Sequence, residues 1–146
     1  MRTFPVDKFE ALETPFYYYD VNLLKETLLT VSAEAAKYEG FHVHYAIKAN
    51  FNPRLLRVVA ESGIGADCVS GGEVLAAIAA GIPASKVVFA GVGKTDKEIA
   101  ASLDAGIFCF NVESLPEIDA IEALAAERGV VAQIAIRVNP NVAAHT

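Results

Sequence analysis

Phe41-His42-Val43-His44-Tyr45-Ala46-Ile47-Lys48-Ala49-Asn50 alternates along its length. The odd positions Phe41, Val43, Tyr45 and Ile47 are apolar and favour extended backbone, so a period of two places His42, His44, Ala46 and Lys48 on the opposite face. The pattern predicts a strand with a lysine at its carboxyl end. In parallel β/α proteins ligands bind at the carboxyl ends of the strands, which puts Lys48 at the mouth of a site. Many lysines are only solvated surface charges. Here Ala46, on the same face, leaves room for a flat group beside the amine. A desolvated lysine can lose its proton and attack a carbonyl to form a Schiff base. Pyridoxal phosphate is the commonest carbonyl cofactor held in that way.

Working outward from this strand, a β/α alternation emerges. On the amino-terminal side, residues 1–13 read as an arm or short helix, and Thr14-Pro15 with the aromatics Phe16 to Tyr19 as an extended piece. Asp20 is placed to cap a helix whose apolar spacing of Val21, Leu24, Leu28 and Val31 carries it to about Tyr38, with a stop at Gly40. On the carboxyl-terminal side Asn52-Pro53 opens a helix closed by Gly63. Strands are predicted over 66–69, 86–90, 107–111 and 130–138, and helices over 72–80, 96–105 and 115–128. Alternation of this kind gives parallel strands joined by right-handed crossovers. The five predicted strands of this 146-residue chain fall short of a closed barrel, which needs eight and typically about 250 residues. The expectation is an amino-terminal portion of a longer protein, an incomplete parallel β/α barrel. An open doubly wound sheet is the alternative that length alone favours.

Composition narrows the function classes. The formal net charge is −6 and the basic residues are scattered, which argues against nucleic acid as a partner. No apolar run is long enough to cross a bilayer, and the amino terminus lacks the apolar core of a signal peptide, so the cytoplasm is the expected compartment. Cys68 and Cys109 stand apart in strand-like settings and read as buried thiols.

Several motifs tempt. Gly91-Val92-Gly93-Lys94-Thr95 resembles the end of a phosphate-binding P-loop, but Val88 stands where that pattern requires its first glycine. Gly63-Ile64-Gly65 lacks the third glycine of a dinucleotide fingerprint, since Cys68 occupies its position. These glycines read as helix stops and turns. His42 and His44 could share a metal, yet further ligands are not evident, and packing or hydrogen bonding inside the barrel is the plainer reading; no metal is expected. Ser70 to Glu73 reads as a helix capping box. Asp67 and Arg137, by contrast, are charges in otherwise apolar strands. They must be paired or serve a site, and could meet in the same mouth as Lys48, as an ion pair or around an anionic ligand.

Taken together, these segments resemble a known family. Tyr45-Ala46-Ile47-Lys48-Ala49-Asn50, Ala66-Asp67-Cys68-Val69-Ser70-Gly71-Gly72-Glu73, Phe110-Asn111-Val112-Glu113-Ser114 and Arg137-Val138-Asn139-Pro140-Asn141-Val142 with Ala144-His145-Thr146 are similar, in order and spacing, to the amino-terminal region of the diaminopimelate decarboxylases, a branch of the fold-type III pyridoxal-phosphate decarboxylases. The likeness runs from about Thr14 to the last residue. It implies an alanine racemase-like (β/α)8 barrel, in which residues 21–146 form an incomplete part and residues 1–20 an arm joining a β-domain encoded later. It implies that Lys48 carries pyridoxal 5'-phosphate as a Schiff base, that Ala46, Asp67 and Arg137 line the ring's surroundings, and that Glu73 is a supporting carboxylate. The implied reaction is decarboxylation of meso-2,6-diaminopimelate to L-lysine, by a homodimer when full length. The family's glycine-rich phosphate loop, its acidic partner for the pyridine nitrogen and its cross-subunit cysteine all belong to later sequence, so this polypeptide alone is expected to be inactive. The competing expectations are a non-catalytic single-barrel carrier of pyridoxal phosphate, an ornithine- or arginine-type decarboxylase, and a metal hydrolase built on His42 and His44.

Overall fold

The computed structural model describes residues 4–140, so the readings placed on Asn141, Val142, Ala144, His145 and Thr146 lie outside the described residues. Five strands pair in parallel and in chain order: β1 (His44–Ala46), β2 (Gly65–Cys68), β3 (Val87–Phe89), β4 (Cys109–Val112) and β5 (Ile134–Ile136). Register fixes which side chains share a face. Ala46 pairs with Asp67, Asp67 with Val88, Val88 with Cys109, and Asn111 with Ala135, so these residues stand on one side of the sheet.

The other side carries Ala66, Cys68, Val87, Phe89, Phe110 and Val112, each 1% exposed or less. They form one core with Leu56 and Val59 of α3 (Pro53–Glu61), Val74 and Ala77 of α4 (Gly71–Ala79), Ile99 and Leu103 of α5 (Asp96–Ala105), and Ile121 and Ala125 of α6 (Leu115–Arg128). Each large side chain buried in this way contributes about 1.5–3 kcal/mol. The helical core packs against this one face. A doubly wound sheet reverses its strand order and carries helices on both faces. The unbroken order from β1 to β5 has no such reversal, so the doubly wound alternative gives way to the wall of a β/α barrel. Among the described residues β1 and β5 are edges, and Ile136 of β5 is 67% exposed.

Helix boundaries follow their capping residues. Asp20 starts α2 (Val21–Ala35) as predicted, its Oδ1 accepting the Leu23 N–H at 3.0 Å. The helix ends earlier than expected because the Lys37 and Tyr38 N–H groups turn to the carbonyls three residues back, tightening the last turn before Gly40. α1 (Val6–Phe9) is a single turn. Its Phe9 ring lies 5.3 Å from Phe16 and 5.1 Å from Tyr18, so the arm's aromatics pack on one another and stay outside the main core. Among the described residues no helix is long and apolar enough to cross a membrane.

α5 begins with a complete capping box: the Thr95 hydroxyl accepts the Glu98 N–H, and the Glu98 carboxylate accepts the Thr95 N–H at 3.0 Å. The same carboxylate accepts the Gly71 N–H at 2.8 Å, joining α5 to the start of α4. That bond, followed by those from Thr95, holds the Glu98 carboxyl below its usual 4.5. A carboxyl with a depressed folded-state pKa adds stability above its unfolded value, and the addition is lost as pH falls through the folded one. Glu98→Gln is therefore expected to cost about 0.5 kcal/mol at neutral pH, a small figure because the group is only half-buried and partly screened by solvent. Its denaturation midpoint should approach that of the wild type as pH falls below the usual carboxylate value of 4.5, in a urea series run from about pH 7 to 3.

Candidate active site

The carboxyl ends of the strands open onto a cleft of about 570 Å³, within the size range of small-molecule sites. Lys48, Asp67 and Arg137 all line it. The sequence places Lys48 within the strand itself, whereas β1 stops at Ala46 and Ile47–Ala49 close into a single 3-10 turn. That turn has local causes. The Asn50 N–H bonds to the Ile47 carbonyl at 3.0 Å, the Tyr45 hydroxyl donates to the Asn50 carbonyl at 3.1 Å, and the Asn50 side chain accepts the Asn52 N–H. Ile47 is fully buried beneath the turn and anchors it, while Lys48 is exposed. Asn50 also donates from Nδ2 to the Tyr19 hydroxyl, tying the amino-terminal arm to the lysine turn. Tyr17, 89% exposed, stacks on Tyr19, and both rings lie outside the main core.

Asp67 and Arg137 do not pair with each other. Arg137 Nη1 instead donates to Glu113 Oε2 at 3.2 Å, which leaves the guanidinium further donors. Asp67 Oδ1 is buried without a hydrogen-bond partner. A buried carboxylate oxygen left open is costly, and a donor from a bound group is the usual remedy. Ala46 is the β1 neighbour of Asp67 in register and shares its face. Glu73 sits one shell back: its Oε2 accepts the Val69 N–H at 2.8 Å, while its own N–H donates to the Ser70 hydroxyl. The anticipated capping box is thus altered, because the carboxylate reaches past the cap to the residue before it.

Three side chains of this wall, Glu113, Lys94 and Glu117, are given no site role by the sequence alone. Glu113 accepts the Gly91 N–H at 3.2 Å besides its bond from Arg137, and its own N–H donates to Glu117 Oε2 at 2.9 Å. Lys94, with its side chain 1% exposed, donates to the Gly91 carbonyl at 2.7 Å, the Asn111 carbonyl at 2.9 Å and Glu117 Oε1 at 2.6 Å. For Glu117 the signal was a repeat. Val69-Ser70-Gly71-Gly72-Glu73 and Glu113-Ser114-Leu115-Pro116-Glu117 share a serine cap followed by a glutamate that reaches back to the residue before it.

The two histidines lie at the opposite end of the sheet. They line a second concavity with Lys86 and Phe108. The His44 ring lies over Gly65 and stacks on Phe108 at 6.3 Å, and burial, with His42 next in size, lowers its pKa from 6.5. No group of three or more His, Cys, Asp or Glu among the described residues is placed to hold a metal. Cys68 and Cys109 are free and buried; burial, then the neighbouring Glu73 and Asp67 carboxylates, push the Cys68 thiol up to about 12.

Comparison with known proteins supplies the family. The family of the pyridoxal binding domain of pyridoxal-dependent decarboxylases matches residues 26–146. The chain belongs to that family. It is 59% identical over 143 residues to diaminopimelate decarboxylase of Bacteroides thetaiotaomicron, covering 98% of this chain and 37% of the relative. It is 47% identical over 133 residues to diaminopimelate decarboxylase of Aquifex aeolicus, covering 91% of this chain and 31% of the relative. Among solved structures, diaminopimelate decarboxylase of Helicobacter pylori complexed with L-lysine superposes with a TM-score of 0.87 at 40% identity, over 97% of this chain and 36% of that one. The chain thus spans about a third of the length of the relatives it matches. The five-stranded wall is an incomplete fold-type III barrel.

Proposed function

We propose that the longer protein carrying this chain removes carbon dioxide from meso-2,6-diaminopimelate to give L-lysine, using pyridoxal phosphate held at Lys48. The observation that carries the reading is the convergence of an exposed lysine amine, an open carboxylate oxygen and a guanidinium on one cleft at the strand ends. The donor set suits that cofactor. Lys48 would hold the aldehyde carbon, Asp67 would accept a proton donated by the bound group, and Arg137 would meet its negative charge. Ala46, beside Asp67, leaves the space a flat ring needs. Glu73 supports the wall through Val69. Pyridoxal phosphate, when bound, supplies an electron sink for the pair left by the departing carboxylate.

The residues of this chain do the rest of their work by position. The 3-10 turn sets the Lys48 amine at the lip of the cleft, where it can meet a carbonyl and hand over a proton. Overall the Cα–carboxylate bond breaks, carbon dioxide leaves and a proton is placed on Cα. The remainder of the longer protein would add the phosphate loop, the partner of the pyridine nitrogen, the β-domain that residues 1–20 join, and the second subunit of a dimer. A biosynthetic enzyme of this kind works in the cytoplasm. The present chain by itself should not turn over.

The test is product analysis with the longer protein, pyridoxal phosphate and each of meso-diaminopimelate, ornithine and arginine. Lysine and carbon dioxide from diaminopimelate, with negligible product from the other two, is the expected result. Turnover of ornithine or arginine alone would move the protein to those branches. Cofactor binding without carbon dioxide from any of the three would make it a carrier.

A further inference from the structure

Lys94 touches none of the residues assigned to the cofactor, yet it is the most thoroughly bonded cation among the described residues. Its ammonium has three N–H donors, and three acceptors surround it: the Gly91 carbonyl, the Asn111 carbonyl and Glu117 Oε1. These come from three separate pieces of chain, the turn after β3, the end of β4 and the first turn of α6. Phe89 closes one side, with its ring centroid 5.5 Å from the amine. Glu117, held by Lys94 through one oxygen, uses the other to accept the Glu113 N–H. The Glu113 carboxylate in turn spans Gly91 N–H and Arg137 Nη1. A continuous path therefore runs from a buried lysine through two glutamates to the guanidinium in the cleft.

We propose that Lys94 is a positioning residue for the cofactor cleft: it fixes the Gly91 turn and Glu117 together, and through Glu113 sets the place of Arg137. The inference rests on the reading above that Arg137 serves bound pyridoxal phosphate. Lysine is the side chain the site calls for, because a tetrahedral ammonium reaches three acceptors in different directions where a planar guanidinium would not. Methionine has a similar length and no donor, so Lys94→Met strands both carbonyls and one carboxylate oxygen. Glu117→Gln is milder. It keeps one acceptor oxygen where the carboxylate offers two, so either the Lys94 bond or the Glu113 bond is lost.

The experiment uses the longer protein, freed of cofactor, and titrates pyridoxal phosphate by fluorescence, with urea unfolding recorded separately for each variant. Lys94→Met is expected to weaken cofactor binding about tenfold, as a disrupted network typically does, and Glu117→Gln to act in the same direction. Each change is then repeated on an Arg137→Met background. If Lys94 acts through Arg137, neither change weakens binding further there. An equal loss in both backgrounds, or unchanged affinity in Glu117→Gln and Lys94→Met while urea stability falls, would overturn the proposal and leave Lys94 a purely structural brace. Should Lys94→Met fail to fold, Glu117→Gln carries the comparison alone. Wild-type protein that binds no pyridoxal phosphate would overturn the underlying reading, and that is seen before any variant is compared.

Discussion

Lys48→Ala is expected to abolish covalent retention of pyridoxal phosphate by the longer protein and to lower decarboxylation by about 10²- to 10⁴-fold, the range for a side chain that positions and transfers a proton. Borohydride reduction followed by peptide mapping should find a pyridoxyl group on Lys48 in the wild type and none in the variant. The fold should survive. Lys48 is exposed and sits in a turn held by Tyr45 and Asn50, and its side chain has no hydrogen bond to another of the described residues. An unchanged urea midpoint would therefore separate loss of chemistry from loss of structure. A pyridoxyl group on Lys86 or Lys94 instead, with activity retained in Lys48→Ala, would sink the assignment. Lys94 is a poor candidate for that role, since its amine is enclosed by three acceptors.

The sequence carried the fold further than it carried the site. Caps marked three helices: Asp20, Asn52 and Ser70 each accept a backbone N–H in the first turn of the helix that follows, and Thr95 and Ser114, not read as caps from the sequence, do the same for α5 and α6. Alternation located β1 but overran it. Period two continues through Ile47 and Lys48 on paper, while Asn50 draws the chain into a turn by bonds that hydropathy does not register. Asp67 and Arg137 were legible as charges in apolar strands. The partner of Arg137 was not, because Glu113 follows the neighbouring strand β4 and meets Arg137 only once the parallel register is set. Lys94 was hidden for a different reason. In a glycine-flanked loop it reads as solvated, and only the closure of three chain segments around it shows that it is buried. Long-range pairing of this sort has no local period, so it escapes pattern reading.

Gly65→Ala is expected to destabilise the protein by about 3 kcal/mol or more, the upper part of the range for forcing atoms into a packed interior. A Cβ at Gly65 would overlap both the Lys86 backbone carbonyl and the His44 imidazole. The imidazole could rotate away at the expense of its stacking on Phe108, but the carbonyl belongs to the chain entering β3 and cannot. Relief must come from the backbone of β2 itself. Gly65 pairs with His44 in register, and its N–H donates to the Val43 carbonyl at 2.9 Å, so moving β2 loosens its hold on β1. β1 has no other strand partner among the described residues, and Lys48 follows directly from its end. The substitution should thus lower both the urea midpoint and the extent of borohydride-trapped cofactor, although Gly65 lies at the far end of the strand from the cleft. Adding His44→Ala tests the cause. It removes one of the two overlaps and leaves the carbonyl, so the double variant should remain close to Gly65→Ala in stability. Recovery to the level of His44→Ala alone would mean that the imidazole, and not the β3 backbone, is what requires glycine there.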